Sequence, residues 1–282
     1  MELGLRGRKA IVCASSRGLG KACALALARE GACVIINGRD EAALSAARDE
    51  IAATGAEVSA VAADVSTREG QDALIAACPK PDILVNNNGG PPLRDFRELD
   101  REAMISGVIQ NMVTPIELIQ RVVPYMVAQG FGRIVNITSI SVRMPILGLD
   151  LSSGARAGLT AFMAGPARDL AKHNVTVNNL LPGMFDTDRL RNSTRPWRRW
   201  AARVRRPWQP SARRRFPPAA SARPMSLALS VLSCAARRRV TSPARASSST
   251  AGCSTPSSTA AQRTLPLAAT GHTVSTVPLR IP

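Results

Sequence analysis

Residues 193–282 contain no aspartate, no glutamate and no lysine, although they hold 16 arginines. Asp188 is the last carboxylate of the chain. That absence localises the charge. The 282 residues carry 37 Lys+Arg and 20 Asp+Glu, and 21 of the basic and all 20 of the acidic side chains fall in residues 1–192. The net charge of +17 therefore belongs almost entirely to the last 90 residues, and it describes that tail rather than the whole protein. The tail's three Trp and scattered Arg follow no helical or stacking period, so no nucleic-acid partner is expected. The chain opens "MELGLRGRKAIVCASS", without the long apolar run of a secretory signal. No stretch has the length of a membrane span, and a cytoplasmic, membrane-free protein is expected. Six cysteines (Cys13, Cys23, Cys33, Cys78, Cys234 and Cys253) show no CxxC spacing. They read as buried reduced thiols rather than ligands. No carboxylate pair or metal-ligand spacing stands out, and His173 and His272 read as solvent-facing.

Residues 1–192 are long enough for one sizeable core. Short apolar runs alternate with helical patterns through this region. "KAIVCA" (9–14), "CVIING" (33–38), "EVSAVAADV" (57–65), "DILVNN" (82–87), "GRIVNITS" (132–139) and "VTVNNLL" (175–181) read as strands buried in a sheet. Helical segments lie between them, including a long one interrupted near Pro115 and one from about 152 to 172. This rhythm predicts an α/β fold, a Rossmann-type doubly wound parallel sheet covered on both faces. Past Asn192 no such rhythm is read. The expected division is a dinucleotide-binding domain over 1–192 and a disordered Arg/Pro/Ala/Ser-rich tail over 193–282.

The first strand runs into "CASSRGLGKA" (13–22). A strand, a tight Gly-bearing turn and a helix N-terminus make a phosphate cradle: backbone N–H groups and the helix dipole favour an anion, and Gly18 and Gly20 permit close approach. By itself the motif also suits an ordinary strand–helix turn. The second strand ends in Asn37, Gly38 and Arg39, where a site for the unphosphorylated cofactor would place a carboxylate. Arg17 lies in the turn itself. Two guanidiniums with no carboxylate between them suit a 2′-phosphate, which favours NADP(H) over NAD(H).

In these residues the chain resembles the short-chain dehydrogenase/reductase family, over roughly residues 7–192. "CASSRGLG" resembles its TGxxxGIG turn, and implies cofactor contacts from Ala14, Ser16, Arg17, Gly18, Leu19 and Gly20, with Arg39 beside them. "ADV" resembles the adenine-contacting segment, with Asp64 and Val65. "LVNNNGG" is similar to the family's NNAG segment and brings in Asn87, Asn88 and Gly89. Asn111 matches the family's helix Asn, and "GRIVNITS" carries its Ser at Ser139. "VNNLLPGMFDTD" resembles the segment that closes over nicotinamide, with Pro182, Gly183 and Thr187. The nearest flavour is the 3-oxoacyl-carrier-protein reductase-like group. The resemblance implies an oxidoreductase acting on a small carbonyl or alcohol, and a homo-oligomer that the altered tail puts in doubt.

Two departures qualify this. The family's first turn glycine is Ala14 here, a mild change if its φ is negative. The family's catalytic Tyr-x-x-x-Lys falls on "SSGAR" (152–156), with Ser152 for Tyr and Arg156 for Lys. Tyr has a reference pKa of about 10, which a nearby cation lowers. A Ser hydroxyl is a far weaker acid, and Arg does not deprotonate. Three readings stay open. Ser152 acts as a poor proton donor while Ser139 polarises the carbonyl; another acid, from the substrate or a water chain at Asn111, replaces Tyr; or the site binds cofactor without efficient turnover.

The tail lacks the family's substrate-covering helices and its last strand, which leaves an unpaired sheet edge. Reading the tail one nucleotide out of frame restores family-like segments in three places. "RFPPAASA" (215–222) permits I-P-A-G-R-F-G. "PMSLALSVLSCAA" (224–236) permits an amphipathic helix, and "RVTSPARASSSTAG" (239–252) permits G-Y-I-T-G-Q-S-I-L-I-D-G-G. A frameshifted C-terminus is therefore expected. The other reading of the tail is a genuine disordered basic segment.

Overall fold

The computed structural model describes residues 3–91, 93–144, 146–183, 185–188, 191, 224–236 and 275–277. Six of the short apolar runs form strands: Lys9–Val12 (β1), Cys33–Gly38 (β2), Val58–Ala62 (β3), Ile83–Asn86 (β4), Gly132–Ile137 (β5) and Val175–Leu181 (β6). All six pair in parallel, in the order β3-β2-β1-β4-β5-β6. The central strands β4 and β5 are buried along their whole length, as runs covered on both faces must be. β3 lies at the edge and is half exposed.

The intervening helices are Gly18–Arg29 (α1), Glu41–Ala52 (α2), Arg68–Ala77 (α3), Arg101–Val108 (α4), Thr114–Ala128 (α5), Asp150–Phe162 (α6) and Ala164–Ala171 (α7). One buried cluster joins the sheet to α1 and α2, and a second joins it to α5, α6 and α7 on the other face. The chain winds outward one way through β2 and β3 and the other way from β4. The strand order therefore reverses between β1 and β4, the crevice where open α/β sheets bind ligands.

Two expected helices are divided. The long one breaks at a π-helical stretch, Ile109–Val113, just before Pro115. Pro115 itself sits in the first turn of α5, directly after the π-helical stretch. The segment expected from about 152 to 172 splits at Met163 into α6 and α7.

The tail departs from the expected disorder at residues 224–236. Pro224–Ala235 forms a helix, here α8, which packs on α1. Leu227, Ala228, Val231, Leu232 and Ala235 are buried in the first core cluster. Their spacing places them on one face, a helical period that the Arg- and Ser-rich surroundings mask at the level of composition. The edge of β6 is also not bare. Ser275–Val277 (β7) pairs antiparallel with it, Val277 opposite Asn179 and Ser275 opposite Leu181. An edge strand offers unpaired N–H and C=O groups, which a short extended segment can satisfy without a full strand. The three segments read out of frame, at 215–222, 224–236 and 239–252, lie outside the described residues except for the part that forms α8.

The described cysteines are free. Burial pushes the Cys13 and Cys23 thiols up to about 12, so they are inert packing groups. No helix among the described residues is long and apolar enough to cross a membrane.

Candidate active site at the rim of the sheet

The turn between β1 and α1 is tied to its neighbours through three side chains. Ser15 Oγ donates to Val12 O at 2.7 Å and accepts from Asn37 N at 3.0 Å. Asn37 Nδ2 donates to Val61 O and Ala63 O, which ties the end of β2 to the end of β3. Asn37 is only 2% exposed, so it builds the rim and does not face a ligand. Asn87 Nδ2 donates to Ala14 O at 3.1 Å from the end of β4. Sequence reasoning placed Asn87 on the cofactor; the structure gives its amide to the turn. It also missed Ser15, whose signal was a Ser at the end of a buried strand.

Ala14 has a φ of 43°, in the left-handed region. The substitution of the turn's first glycine is therefore not mild: a Cβ there meets the following carbonyl, at roughly 1–2 kcal/mol. Gly20 is required for a different reason. A Cβ on it would stand 2.3 Å from Ala14 O, so only glycine lets α1 start against the turn. Gly18 adopts a φ of 59°. Ser16 packs on Gly38, and Leu19 packs against the first core cluster.

The N-terminus of α1 has no side-chain cap and no acidic residue in its first turn. By contrast α2, α3 and α4 are capped by Asp40, Thr67 and Asp100. Uncapped first-turn amides at a helix's positive end fit an anion such as a pyrophosphate. Thr187 lies over this turn, its Cγ2 3.5 Å from where a Cβ on Gly18 would stand. Pro182 is buried and its carbonyl accepts from Ile140 N, while Gly183 is exposed beside it. An open cleft of about 440 Å3 lies next to Gly18, lined by Lys21, Thr187, Asp188, Arg191 and, from α8, Met225.

The two arginines do not share a partner. Arg17 Nη2 pairs with Asp40 Oδ2 at 2.6 Å, and Arg39 Nη1 reaches Asp64 Oδ2 at 3.4 Å. The expectation of two guanidiniums with no carboxylate between them is corrected here, because the N-cap of α2 is itself an aspartate. The hydrogen bond from Ala43 N, followed by the charge of Arg17, holds the Asp40 carboxyl below its ordinary range. Burial raises the Asp64 carboxyl, but hydrogen bonds from Ser66 and the charge of Arg39 outweigh it, and the net direction is down. Val65 is buried in the second core cluster. Its side chain is packing, and its carbonyl accepts from Gln71 Nε2 at 3.1 Å.

On the other half of the rim, α6 brings Ser152 and Arg156 together. One helical turn apart, they share a face, and Arg156 Nε donates to Ser152 Oγ at 3.2 Å. The same guanidinium donates to Ile137 O at 2.7 Å and to Asn88 O at 3.3 Å. It thereby spans the ends of β4 and β5. Ser139, two residues beyond Ile137, accepts at its Oγ from Ser141 N at 3.1 Å and Ser141 Oγ at 2.9 Å. α6 lies close against the π-helical stretch because residue 158 is glycine: a Cβ there would stand 2.8 Å from Met112 Sδ.

Asn111 sits inside that π-helical stretch, a distortion that often marks functional positions. Its Nδ2 donates to Gly107 O, and its Oδ1 is buried without a protein partner. Asn88 Nδ2 donates to Gln110 O at 2.6 Å, next to Asn111 in the chain. Asn88 thus fastens the π-helical stretch to the end of β4 and gives its carbonyl to Arg156. A Cβ on Gly89 would meet nothing within 4 Å, so this loop is open.

Beneath the site, Asn86, Asn136 and Asn179 stand opposite one another on β4, β5 and β6. Asn86 Nδ2 donates to Asn136 Oδ1 at 2.9 Å, and Asn136 Nδ2 to Asn179 Oδ1 at 3.0 Å. The sequence carries the signal, an Asn near the end of each of three strands, but the register that aligns them is a property of the sheet. The chain's one tyrosine, Tyr125, is near the C-terminal end of α5. That end leads into the start of β5, at the opposite edge of the sheet from the site.

Residues 8–198 match the protein family described as short chain dehydrogenase. A 3-oxoacyl-[acyl-carrier-protein] reductase of Synechocystis sp. is 35% identical over 193 residues, which cover 67% of this chain and 78% of the relative. Gluconate 5-dehydrogenase of Gluconobacter oxydans is 31% identical over 191 residues, covering 65% and 73%. Among solved structures, a 3-oxoacyl (acyl-carrier-protein) reductase from Agrobacterium tumefaciens with NADP bound superimposes with a TM-score of 0.70. It is 31% identical, and the match covers 83% of this chain and 90% of that one.

Proposed function

Since this chain belongs to the short-chain dehydrogenase family, we propose that it is an NADP(H)-dependent oxidoreductase interconverting a small carbonyl and its alcohol, with a 3-oxoacyl thioester as the substrate class and the cytoplasm as its location. The observation that carries this reading is the uncapped, acid-free N-terminus of α1 at the reversal of strand order. The amides of Gly18, Leu19 and Gly20 would hold the pyrophosphate, with Thr187 and the loop of Pro182 and Gly183 beside them. Arg17 and Arg39 are exposed beside it and supply the positive charge that a 2′-phosphate needs. The related reductase of known structure that holds NADP supports the same choice.

The bound cofactor supplies hydride exchange with the substrate carbon. The chain's own residues act on the substrate oxygen. Ser152 Oγ accepts from Arg156, so its own hydrogen is available to that oxygen, and the guanidinium stabilises negative charge as it develops. Ser139 Oγ accepts from Ser141, which leaves the Ser139 hydrogen for the same oxygen. Arg156 does not deprotonate, so the proton that leaves Ser152 is replaced from solvent. Asn111 Oδ1 is buried without a protein partner and is placed to hold a water in that path.

A second reading is a dinucleotide-binding protein without efficient turnover, favoured by the replacement of Tyr and Lys with Ser152 and Arg156. Titration of the purified full chain with NADPH, followed by nicotinamide fluorescence, and an assay of NADPH oxidation with a 3-oxoacyl thioester separate the two. Binding with turnover establishes the oxidoreductase. Binding alone establishes the second reading, and no binding removes both. For residues 193–282 we keep the shifted reading frame as the origin of the tail; sequencing across codons 188–200 in an independent isolate decides it, and an intact frame there removes it.

A further inference from the structure

The chain has two Asn-Gly pairs, Asn37–Gly38 and Asn88–Gly89. We infer that the second is a site of spontaneous deamidation, which places a carboxylate inside the candidate site, and that the fold protects the first. Asparagine followed by glycine is chemically labile, because a residue without Cβ lets its main-chain nitrogen reach the preceding side chain. Gly89 N attacks Asn88 Cγ, the Cγ–Nδ2 bond breaks, and the proton from Gly89 N leaves with Nδ2 as ammonia. Water then opens the resulting succinimide at either carbonyl, giving aspartate or isoaspartate. The net change is an amide NH2 exchanged for OH, with a water consumed and an ammonia released.

The two pairs stand in opposite surroundings. Asn37 is buried, and its Nδ2 donates to Val61 O and Ala63 O at 3.0 Å each. Gly38 lies in β2 opposite Ala62 of β3, and its carbonyl accepts from Ala63 N. Attack there requires the sheet to open. Asn88 and Gly89 follow the end of β4 in a stretch without regular structure, and Gly89 is exposed. Among the described residues Gly89 N makes no hydrogen bond, and the space beside its Cα is open. The Asn88 side chain is held through Nδ2 to Gln110 O at 2.6 Å, a bond of modest net worth. Both products change this corner of the site. In aspartate a carboxylate oxygen replaces the donor that faces Gln110 O, so two acceptors oppose each other and the tie to the π-helical stretch is lost. In isoaspartate the main chain runs through Cγ, and the carbonyl that accepts from Arg156 Nη2 at 3.3 Å becomes a carboxylate. Arg156 then faces a fixed anion, and less of its charge is left for a substrate oxygen. That last consequence rests on the proposed function; the modification itself does not.

The purified full chain is held in mildly alkaline buffer, folded and in urea, and its tryptic peptides are followed by mass spectrometry. In the folded chain the peptide with Asn88 is expected to gain the mass of the exchange, at a rate proportional to hydroxide, while the peptide with Asn37 keeps its amide. In urea both are expected to convert. Gly89→Ala adds a Cβ into open space at a residue without a left-handed φ, so it leaves the fold intact, and it is expected to slow conversion of Asn88 severalfold. The aged chain and Asn88→Asp are both expected to show faster hydrogen exchange over Ile109–Val113, the stretch that Asn88 fastens. The site is overturned if Asn88 keeps its amide in the folded chain while converting in urea, or if Asn37 converts as fast as Asn88 in the folded chain. Conversion with unchanged exchange over Ile109–Val113 overturns the assigned consequence. A chain that binds no NADPH overturns the proposed function alone, because conversion at Asn88 is read without nucleotide.

Discussion

The half of the rim formed by β1, β2 and β3 and the half formed by β4, β5 and β6 have diverged in different ways. In the first half the family's backbone geometry is kept under strain. Gly18 and Gly20 remain, the helix start is uncapped, and Ala14 is forced to a φ of 43°. In the second half the backbone is distorted elsewhere, at the π-helical stretch Ile109–Val113, and the proposed change is in the chemistry. On the proposed reading Ser152 and Arg156 stand where an acid and its cation would, and the guanidinium is bonded to Ser152, Ile137 and Asn88. A phosphate site made of main-chain amides tolerates side-chain drift, because its ligands are not side chains. A proton donor has no such tolerance, because its pKa belongs to one functional group.

This contrast breaks most decisively in turnover. Ser152→Tyr with Arg156→Lys is expected to raise kcat for ketone reduction about a thousandfold, within the usual range for a positioned general acid. Steady-state rates at saturating NADPH check this, and an unchanged kcat would show that the missing acid is not what limits the reaction. The next largest effect concerns the support of the cofactor half. Leu227 of α8 is fully buried against the cluster that includes α1. Leu227→Ala is expected to lower unfolding free energy by about 3 kcal/mol, as buried Leu truncations do. Urea denaturation measures it, and a change near zero would mean that α8 is not part of the cooperative fold.

A smaller effect sharpens the comparison by separating binding from chemistry. In the Tyr/Lys double-substituted background, Asn88→Ala frees the π-helical stretch and is expected to lower kcat about tenfold, the consequence of a small misplacement of reacting groups. The dissociation constant for NADPH is expected to stay the same. A weaker NADPH affinity with intact kcat would move Asn88 to the cofactor half instead. Ala14→Gly is the mildest change. It relieves the left-handed alanine and is expected to stabilise the fold by about 1 kcal/mol, read as a higher urea midpoint with an unchanged slope.

The strand–helix alternation was legible because β4 and β5 are uninterrupted apolar runs, a pattern that parallel strands covered on both faces impose on any sequence. The turn was legible for the same local reason: Gly18 and Gly20 stand at fixed distances from a strand end. The bracing role of Asn37 and Asn87 and the burial of Val65 were not legible, because residue type does not tell which way a side chain faces. At the strand ends the first two turn inward to brace the rim, and the third fills the core. α8 was missed because its five buried residues are a thin helical stripe inside an Arg- and Ser-rich composition, and composition averages over faces.

By itself, the sequence determined the parallel sheet and the Gly-bearing turn after its first strand, since each is written in contiguous residues with a local physical signature. Only the tertiary structure decided that Asp40 holds Arg17, that Arg156 bridges the ends of β4 and β5, and that α8 completes the core behind α1. Those outcomes depend on which distant residues the sheet brings within hydrogen-bond or van der Waals range, and no local pattern encodes that distance.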